Sequence, residues 1–149
     1  MPNADPFALL KQDHRKVERI FKEIHDTTER AEKTRQELFE NLKTALEYHT
    51  KVEEQFLYPV LEEVGLTHDM TLEAEEEHNV VKTLLADLAG MSPTDEEWVA
   101  KITVMKESLE HHVEEEETDL FIKAKKVMTE EQQETLSDAI IKLREEADQ

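Results

Sequence analysis

The chain has no cysteine. Thiolate metal sites, cysteine-ligated clusters, disulfides and cysteine nucleophiles are excluded together, so any metal must be held by nitrogen and oxygen. Turn-formers are nearly as scarce, with 2 glycines and 4 prolines in 149 residues, and aromatics make up only 5%. A sheet needs more turns and more β-branched or aromatic residues than this, so a chain rich in Glu, Lys, Leu and Ala predicts long helices. Positive charge is short as well: 18 Lys and Arg stand against 37 Asp and Glu, for a net charge of −19. Phosphate backbones and anionic membrane surfaces are bound by clustered Lys and Arg, so no nucleic acid and no membrane is expected as a partner, whereas cations are plausible guests. The opening residues MPNADPFALLKQDH have neither the basic start nor the apolar stretch of a secretory signal. No apolar run approaches the ~18 residues of a membrane span, and a cytoplasmic protein is expected.

What is present is helical periodicity. The length suits one domain over residues 1–149, with no linker long enough to divide it. Asp5 and Pro6 mark a helix start, and Phe7, Leu10, Val17, Ile20, Phe21 and Ile24 form its apolar stripe to about Thr28. A second helix is expected from the capping box Thr34 to Glu37 as far as Gly65, read as a left-handed stop, with Pro59 as a kink near its end. A third runs from about Asp69 to Ala89, closed by Gly90, and a fourth from the box Thr94 to Glu97 as far as Val127. Thr129 and Gln132 open a shorter amphipathic fifth, to about residue 147. The fold class is all-α: an up-down-up-down four-helix bundle over about residues 6–127 with a short additional C-terminal helix.

One segment recurs. HTKVEEQFLYP, His49 to Pro59, returns 63 residues later as HVEEEETDLFI, His112 to Ile122. Each copy carries a His, a Glu at i+4, a second Glu, then Leu and an aromatic, so each helix presents an imidazole beside a carboxylate. The spacing alone is weak evidence, because five of the seven histidines have Glu at i+4 in so acidic a chain. Position carries more. His14, His49, His78 and His112 each interrupt an apolar stripe, and Glu53 and Glu116 do the same. Counted from one end of an antiparallel bundle, His14 and His78 lie ~12–13 Å deep, Glu53 and Glu116 ~16 Å, and His49 and His112 one turn further. The six polar groups therefore share one layer. Uncompensated buried carboxylates cost several kcal/mol each, and no Lys or Arg lies on the stripes nearby. Four imidazoles and two carboxylates exceed one tetrahedral zinc and suit two ions bridged by Glu53 and Glu116, iron leading. A ferritin-like site would need two Glu-x-x-His motifs, and only Glu75–His78 is present. His25 and His111 are read as solvated, and His68 as a residue of the turn before the third helix.

Taken together, Asp13-His14, His49-x-x-x-Glu53-Glu54 with Leu57-Tyr58-Pro59, Glu77-His78, and His112-x-x-x-Glu116-Glu117 with Leu120-Phe121 resemble the hemerythrin-like, or HHE cation-binding, family over about residues 6–127. The resemblance implies a four-helix bundle with two irons, oxo- or hydroxo-bridged, terminal histidines at 14, 49, 78 and 112, and bridging Glu53 and Glu116. It implies a small diatomic or peroxide ligand, with family roles in O₂ binding, peroxide or nitric oxide chemistry, and iron or oxygen sensing. Oxygen carriers of that family have a fifth His four residues before the one matching His78, where this chain has Ala74. Water, an open position, Glu75 or Tyr58 are the candidates to stand there, although Tyr48 and Tyr58 both fall off the predicted site face unless the helix rotates or kinks. Redox chemistry, with peroxide dismutation as its enzymatic form, is expected over reversible transport. An iron- or oxygen-responsive interaction module without turnover is the alternative, and iron storage finds no support.

Overall fold

A computed structural model describes residues 4–147. The helices are α1 Pro6–His25, α2 Glu32–Val52, α3 Tyr58–Glu62, α4 His68–Ala89, α5 Glu96–Glu115, α6 Phe121–Val127 and α7 Glu130–Ala147, and no strand occurs among the described residues. A wider turn, Glu53–Leu57, joins α2 to α3 without a break, and Glu116–Leu120 joins α5 to α6 in the same way. The expected four-helix bundle with an added C-terminal helix is therefore present, α7 lying across α1 and α2.

Local chemistry explains the termini. Asp5 caps α1 by accepting the Phe7 amide at 3.0 Å, with Pro6 at the first helical position where its missing N–H costs nothing. The pair Thr129 and Gln132 forms a reciprocal box, each side chain accepting the other's amide at 3.1 and 2.9 Å. The two other boxes do not form. α2 starts earlier, at Glu32, and α5 starts at Glu96 behind Asp95, with no side-chain cap in either case. Thr94 instead belongs to the turn, its hydroxyl 2.8 Å from that of Ser92. α1 ends at His25 rather than near Thr28, because the Thr27 hydroxyl donates back to the Ile24 carbonyl and turns the chain. Gly65 does not adopt the expected left-handed conformation; no described glycine has positive φ, and the Thr67 hydroxyl closes this corner by donating to the Leu61 carbonyl at 2.6 Å.

The buried side chains fall into two apolar clusters. One, from Val17, Phe21, Phe39, Leu46, Leu85, Trp98 and Met105 among others, fills the end of the bundle near the α1–α2 connection. The other, from Phe7, Leu10, Leu57, Tyr58, Leu61, Leu120, Phe121, Leu136 and Ile140 among others, fills the opposite end under α7. Between them lies a buried polar layer of His14, His49, Glu53, His78, His112 and Glu116.

Candidate metal centre

Each of the four bundle helices contributes an imidazole at the depth where its apolar stripe is interrupted, and α2 and α5 run on into the wide turns that begin at Glu53 and Glu116. All six predicted residues meet. Oε1 of Glu53 lies 3.1 Å from Nε2 of both His49 and His78, and Oε1 of Glu116 lies 3.2 and 3.3 Å from Nε2 of His14 and His112. Each carboxylate thus spans one histidine from each half of the bundle. The side chains of Glu53 and Glu116 are 0 and 1% exposed. Donor atoms of His14, His49, Glu53 and Glu116 lie within 4.8 Å of one another, as do those of Glu53, His78 and His112.

The outward nitrogens each face a carboxylate. Nδ1 of His14 is 2.6 Å from Glu117 and Nδ1 of His112 is 2.8 Å from Glu77. Nδ1 of His49 faces Asp13 at 3.6 Å, and Nδ1 of His78 faces Glu54 at 3.4 Å, too long for direct hydrogen bonds. A proton held on Nδ1 leaves the Nε2 lone pair pointing inward, the tautomer a metal requires. This gives the paired motifs a physical meaning. Asp13 and Glu77 precede a histidine of their own helix yet face one on the next, while Glu54 and Glu117 come directly after the inner carboxylates and reach across the bundle. The outer acids are held in turn: Glu117 by Arg15, Glu54 by Lys82, and Asp13 by Arg144 of α7 at 3.0 Å. Arg144 also donates to the Leu9 carbonyl at 2.7 Å and to the Tyr48 hydroxyl at 3.3 Å, so Tyr48 stays outside the site.

The helical period puts Tyr58 off the site face, and the structure puts it inside. Its hydroxyl lies 2.8 Å from Glu116 Oε2, 3.3 Å from Glu53 Oε1, and 3.2 and 3.5 Å from Nε2 of His78 and His112. The wide turn is the reason. In it the Tyr58 amide bonds to the Glu53 carbonyl five residues back, one more than in an α-helix, and an extra residue rotates the next stretch of helix by about 100°. The second copy makes the same turn, the Phe121 amide bonding to the Glu116 carbonyl, with no proline beside it. Pro59 is therefore compatible with the turn and does not cause it. The available signal was the Leu-aromatic pair that ends both copies: an aromatic five residues after a buried Glu is out of phase for an α-helix and in phase for a wider turn. Ala74 is buried, and Glu75 belongs to neither buried donor group. His25 and His68 are exposed, and His68 opens α4 with Nδ1 2.6 Å from the Glu62 carbonyl oxygen. His111 is exposed, with Glu115 3.1 Å and Glu77 3.6 Å away.

The residues fit metal ions on two grounds. Oε2 of Glu53 and Oε1 of Glu116 are buried without a hydrogen bond, which costs free energy unless a cation supplies the missing partner. Without one, charge is balanced by protons. Burial alone would lower the pKa of His49, but Glu53 and Asp13 overcome it and push it up to about 10. His112 is likewise raised well above its ordinary value: burial opposes this, and Glu116, Glu53 and Glu77 override it. Glu53 is held well below the usual carboxylate range, burial being outweighed by His49 and by hydrogen bonds. Burial, then Glu116 and Glu53, raises Tyr58 well above 10. An all-nitrogen-and-oxygen pocket that draws protons in this way is charge-matched to cations.

Known proteins agree. A solved hemerythrin HHE cation-binding domain-containing protein from Mycobacterium kansasii superposes with a TM-score of 0.80 at 25% identity, covering 99% of this chain and 88% of that one. A DNA nickase of Nostoc sp. (strain PCC 7120 / SAG 25.82 / UTEX 2576) is 28% identical over 126 residues, 85% of this chain; the chain spans 35% of that protein's length. Among the described residues no helix is long and apolar enough to cross a membrane. The model of the hemerythrin HHE cation-binding domain matches residues 5–124, and the chain belongs to that family.

Proposed function

We propose that the chain is a non-haem di-iron protein whose bundle core binds or reacts with O₂, peroxide or nitric oxide. The observation that supports this best is the pair of buried glutamates, each with one oxygen between histidines of opposite halves and each with an oxygen that no hydrogen bond satisfies. His14 and His49 would hold one ion, His78 and His112 the other, with Glu53 and Glu116 shared. Tyr58 would add an oxygen donor to the layer in place of the imidazole absent at Ala74. Seven nitrogen and oxygen donors suit two ions of higher coordination number than tetrahedral zinc, which favours iron. Such ions supply one-electron redox changes and a place for a small oxygen or nitrogen ligand. The chain's own residues set the conditions. Glu117 and Glu77 hold the outward protons of His14 and His112, the two apolar clusters flank the layer at either end, and the Tyr58 hydroxyl can give a proton at Glu116 Oε2.

Metal analysis after aerobic loading with ferrous iron, together with a near-ultraviolet ligand-to-metal charge-transfer band, tests the proposal. Two irons per chain with the band are expected; one or none without it would overturn the dinuclear assignment. A second reading, an iron- or oxygen-responsive module, draws on Arg144, which ties the added helix α7 to Asp13 beside His49. Proteolysis and helicity compared with and without metal, in air and without oxygen, separate the two. Peroxide turnover by a rigid protein favours chemistry, and a large structural response without turnover favours sensing. The likeness to a nickase carries no nickase activity to this chain, which spans a third of that protein and bears a net charge of −19.

A further inference from the structure

The site layer is asymmetric along the bundle axis. On the side of Glu53, Glu116 and Tyr58 a smaller pocket of about 170 Å³ reaches Glu116 and His112 between α4 and the wide turn after α5, whereas on the other side the layer opens into a cavity of about 240 Å³ lined by residues of all four bundle helices. Val17, Leu46, Val81 and Leu109 each stand three residues from His14, His49, His78 and His112, all toward the same end. Three residues along a helix are about 4.5 Å, so these side chains form a ring one turn beyond the imidazoles. Phe21 and Val113 extend the apolar wall, and Glu18, Lys106 and Glu110 on exposed faces of α1 and α5 mark the mouth. The cavity therefore has a polar floor of four imidazole rings, apolar walls and a charged rim.

Its size does not match a diatomic or hydrogen peroxide, which occupies roughly the ~30 Å³ share of a water molecule. Protein interiors close around what they hold and leave few voids larger than water. An apolar cavity of ~150 Å³ is enough to hold benzene. Along the apolar walls water is a poor occupant, because it needs two to four polar partners and only the floor and the rim supply them. The one wall hydroxyl, that of Thr50, is 3.2 Å from the Glu47 carbonyl it donates to. A molecule with a small polar head and a compact apolar tail satisfies floor and walls together.

We propose that the cavity is a binding site for a small organic hydroperoxide, with an apolar tail of about benzene size among Val17, Phe21, Leu46, Val81 and Leu109 and its oxygen head at the imidazole floor. The identity of the head rests on the di-iron reading; the place of the tail does not. The alcohol left by such a peroxide is an unreactive probe, so binding can be measured without turnover. Calorimetric titration of the full-length protein, metal-free and iron-loaded, with 2-phenylpropan-2-ol is expected to show saturable one-to-one binding. Leu109→Trp, which fills the space, should weaken it at least tenfold without altering metal content, and Val113→Phe at the wall provides a second variant should the first fail to fold. Isopropylbenzene, the same tail without the head, should bind more weakly than the alcohol. No saturable binding to the wild type, binding unchanged in a folded filled variant, or hydrocarbon binding as tight as the alcohol overturns the proposal. A protein that takes up no iron yet binds the alcohol in a Leu109-dependent way supports the cavity and sinks the di-iron reading instead.

Discussion

The two halves of the site are near copies that differ by few atoms. In one, His14 and His49 lie with ring centroids 4.8 Å apart; in the other, His78 and His112 do the same. Phe121 stacks on His14 at 5.8 Å, and its counterpart Tyr58 packs on His78 at 5.1 Å. The repeated segment thus supplies the frame twice, with the same wide turn after each glutamate. The hydroxyl breaks the symmetry: Tyr58 brings an oxygen to both carboxylates and Phe121 brings none. The outer shells differ too, since Asp13 is clamped by a cation from α7 while Glu77 faces the exposed His111. A duplicated scaffold brings two similar sets of metal-capable donors together, and single side chains set what distinguishes them.

The largest effect is expected from breaking the shared frame. Glu116→Ala removes an oxygen common to both halves and leaves His14 and His112 without their buried partner, a loss of about 3–5 kcal/mol on the scale of broken buried pairs. Metal content should fall below one ion per chain, with a lower Tm of the iron-treated protein, measured by elemental analysis and thermal unfolding. Full retention of two ions would show that Glu116 is not a bridge. Equalising the halves by Tyr58→Phe should keep the fold and weaken metal retention by at least about 10-fold, the lower end of what losing even a supporting group of a metal site costs. The reverse change, Phe121→Tyr, should not compensate for it in the double variant, and a chelator competition assay distinguishes these cases.

Acidity separates the empty site from the loaded one. His49 has its pKa raised from 6.5 to about 10, so its stabilisation of the metal-free fold is complete below 6.5 and is lost as pH rises through about 10. Glu53 is depressed, so its contribution is present above its ordinary 4.5 and disappears as pH falls below that. The metal-free protein should therefore lose Tm between pH 6.5 and 10. Metal needs neutral imidazoles, so loading releases protons and metal retention should weaken as pH falls, the opposite trend. Paired melting curves with and without metal check the crossing. The smallest effect concerns the outer shell. Arg144→Met should reduce metal retention and cost about 1 kcal/mol or less, its ion pair with Asp13 being partly exposed, while His111→Ala should change neither measurably.

Much of this centre is readable in the chain because burial and helical period act together. A histidine inside an apolar stripe is conspicuous, and four at one depth define the layer whatever the error at helix ends. Tyr58 was hidden by the same reasoning: strict 3.6-residue periodicity points it away, and only the five-residue hydrogen bond of the wide turn brings it in. The roles of Asp13, Glu54, Glu77 and Glu117 were hidden for another reason. In a chain with 37 acidic residues their identity is uninformative, and the contacts that single them out run between helices. Capping boxes fail at Thr34 and Thr94 because each sits two residues from the true helix start: Thr34 lies inside α2, and Thr94 belongs to the turn before α5.

The polar layer between the two apolar clusters bears on how the bundle holds together as one unit. Apolar packing couples neighbouring turns of helix, but here it is interrupted across the whole cross-section of the bundle. Without ions, the two ends communicate through the helical backbones and a proton-balanced set of imidazoles. With ions bound to all four helices, the layer becomes a crosslink. Amide exchange should then show two protection classes in the metal-free protein, one for each end, that merge into a single cooperative opening once the metals are in place.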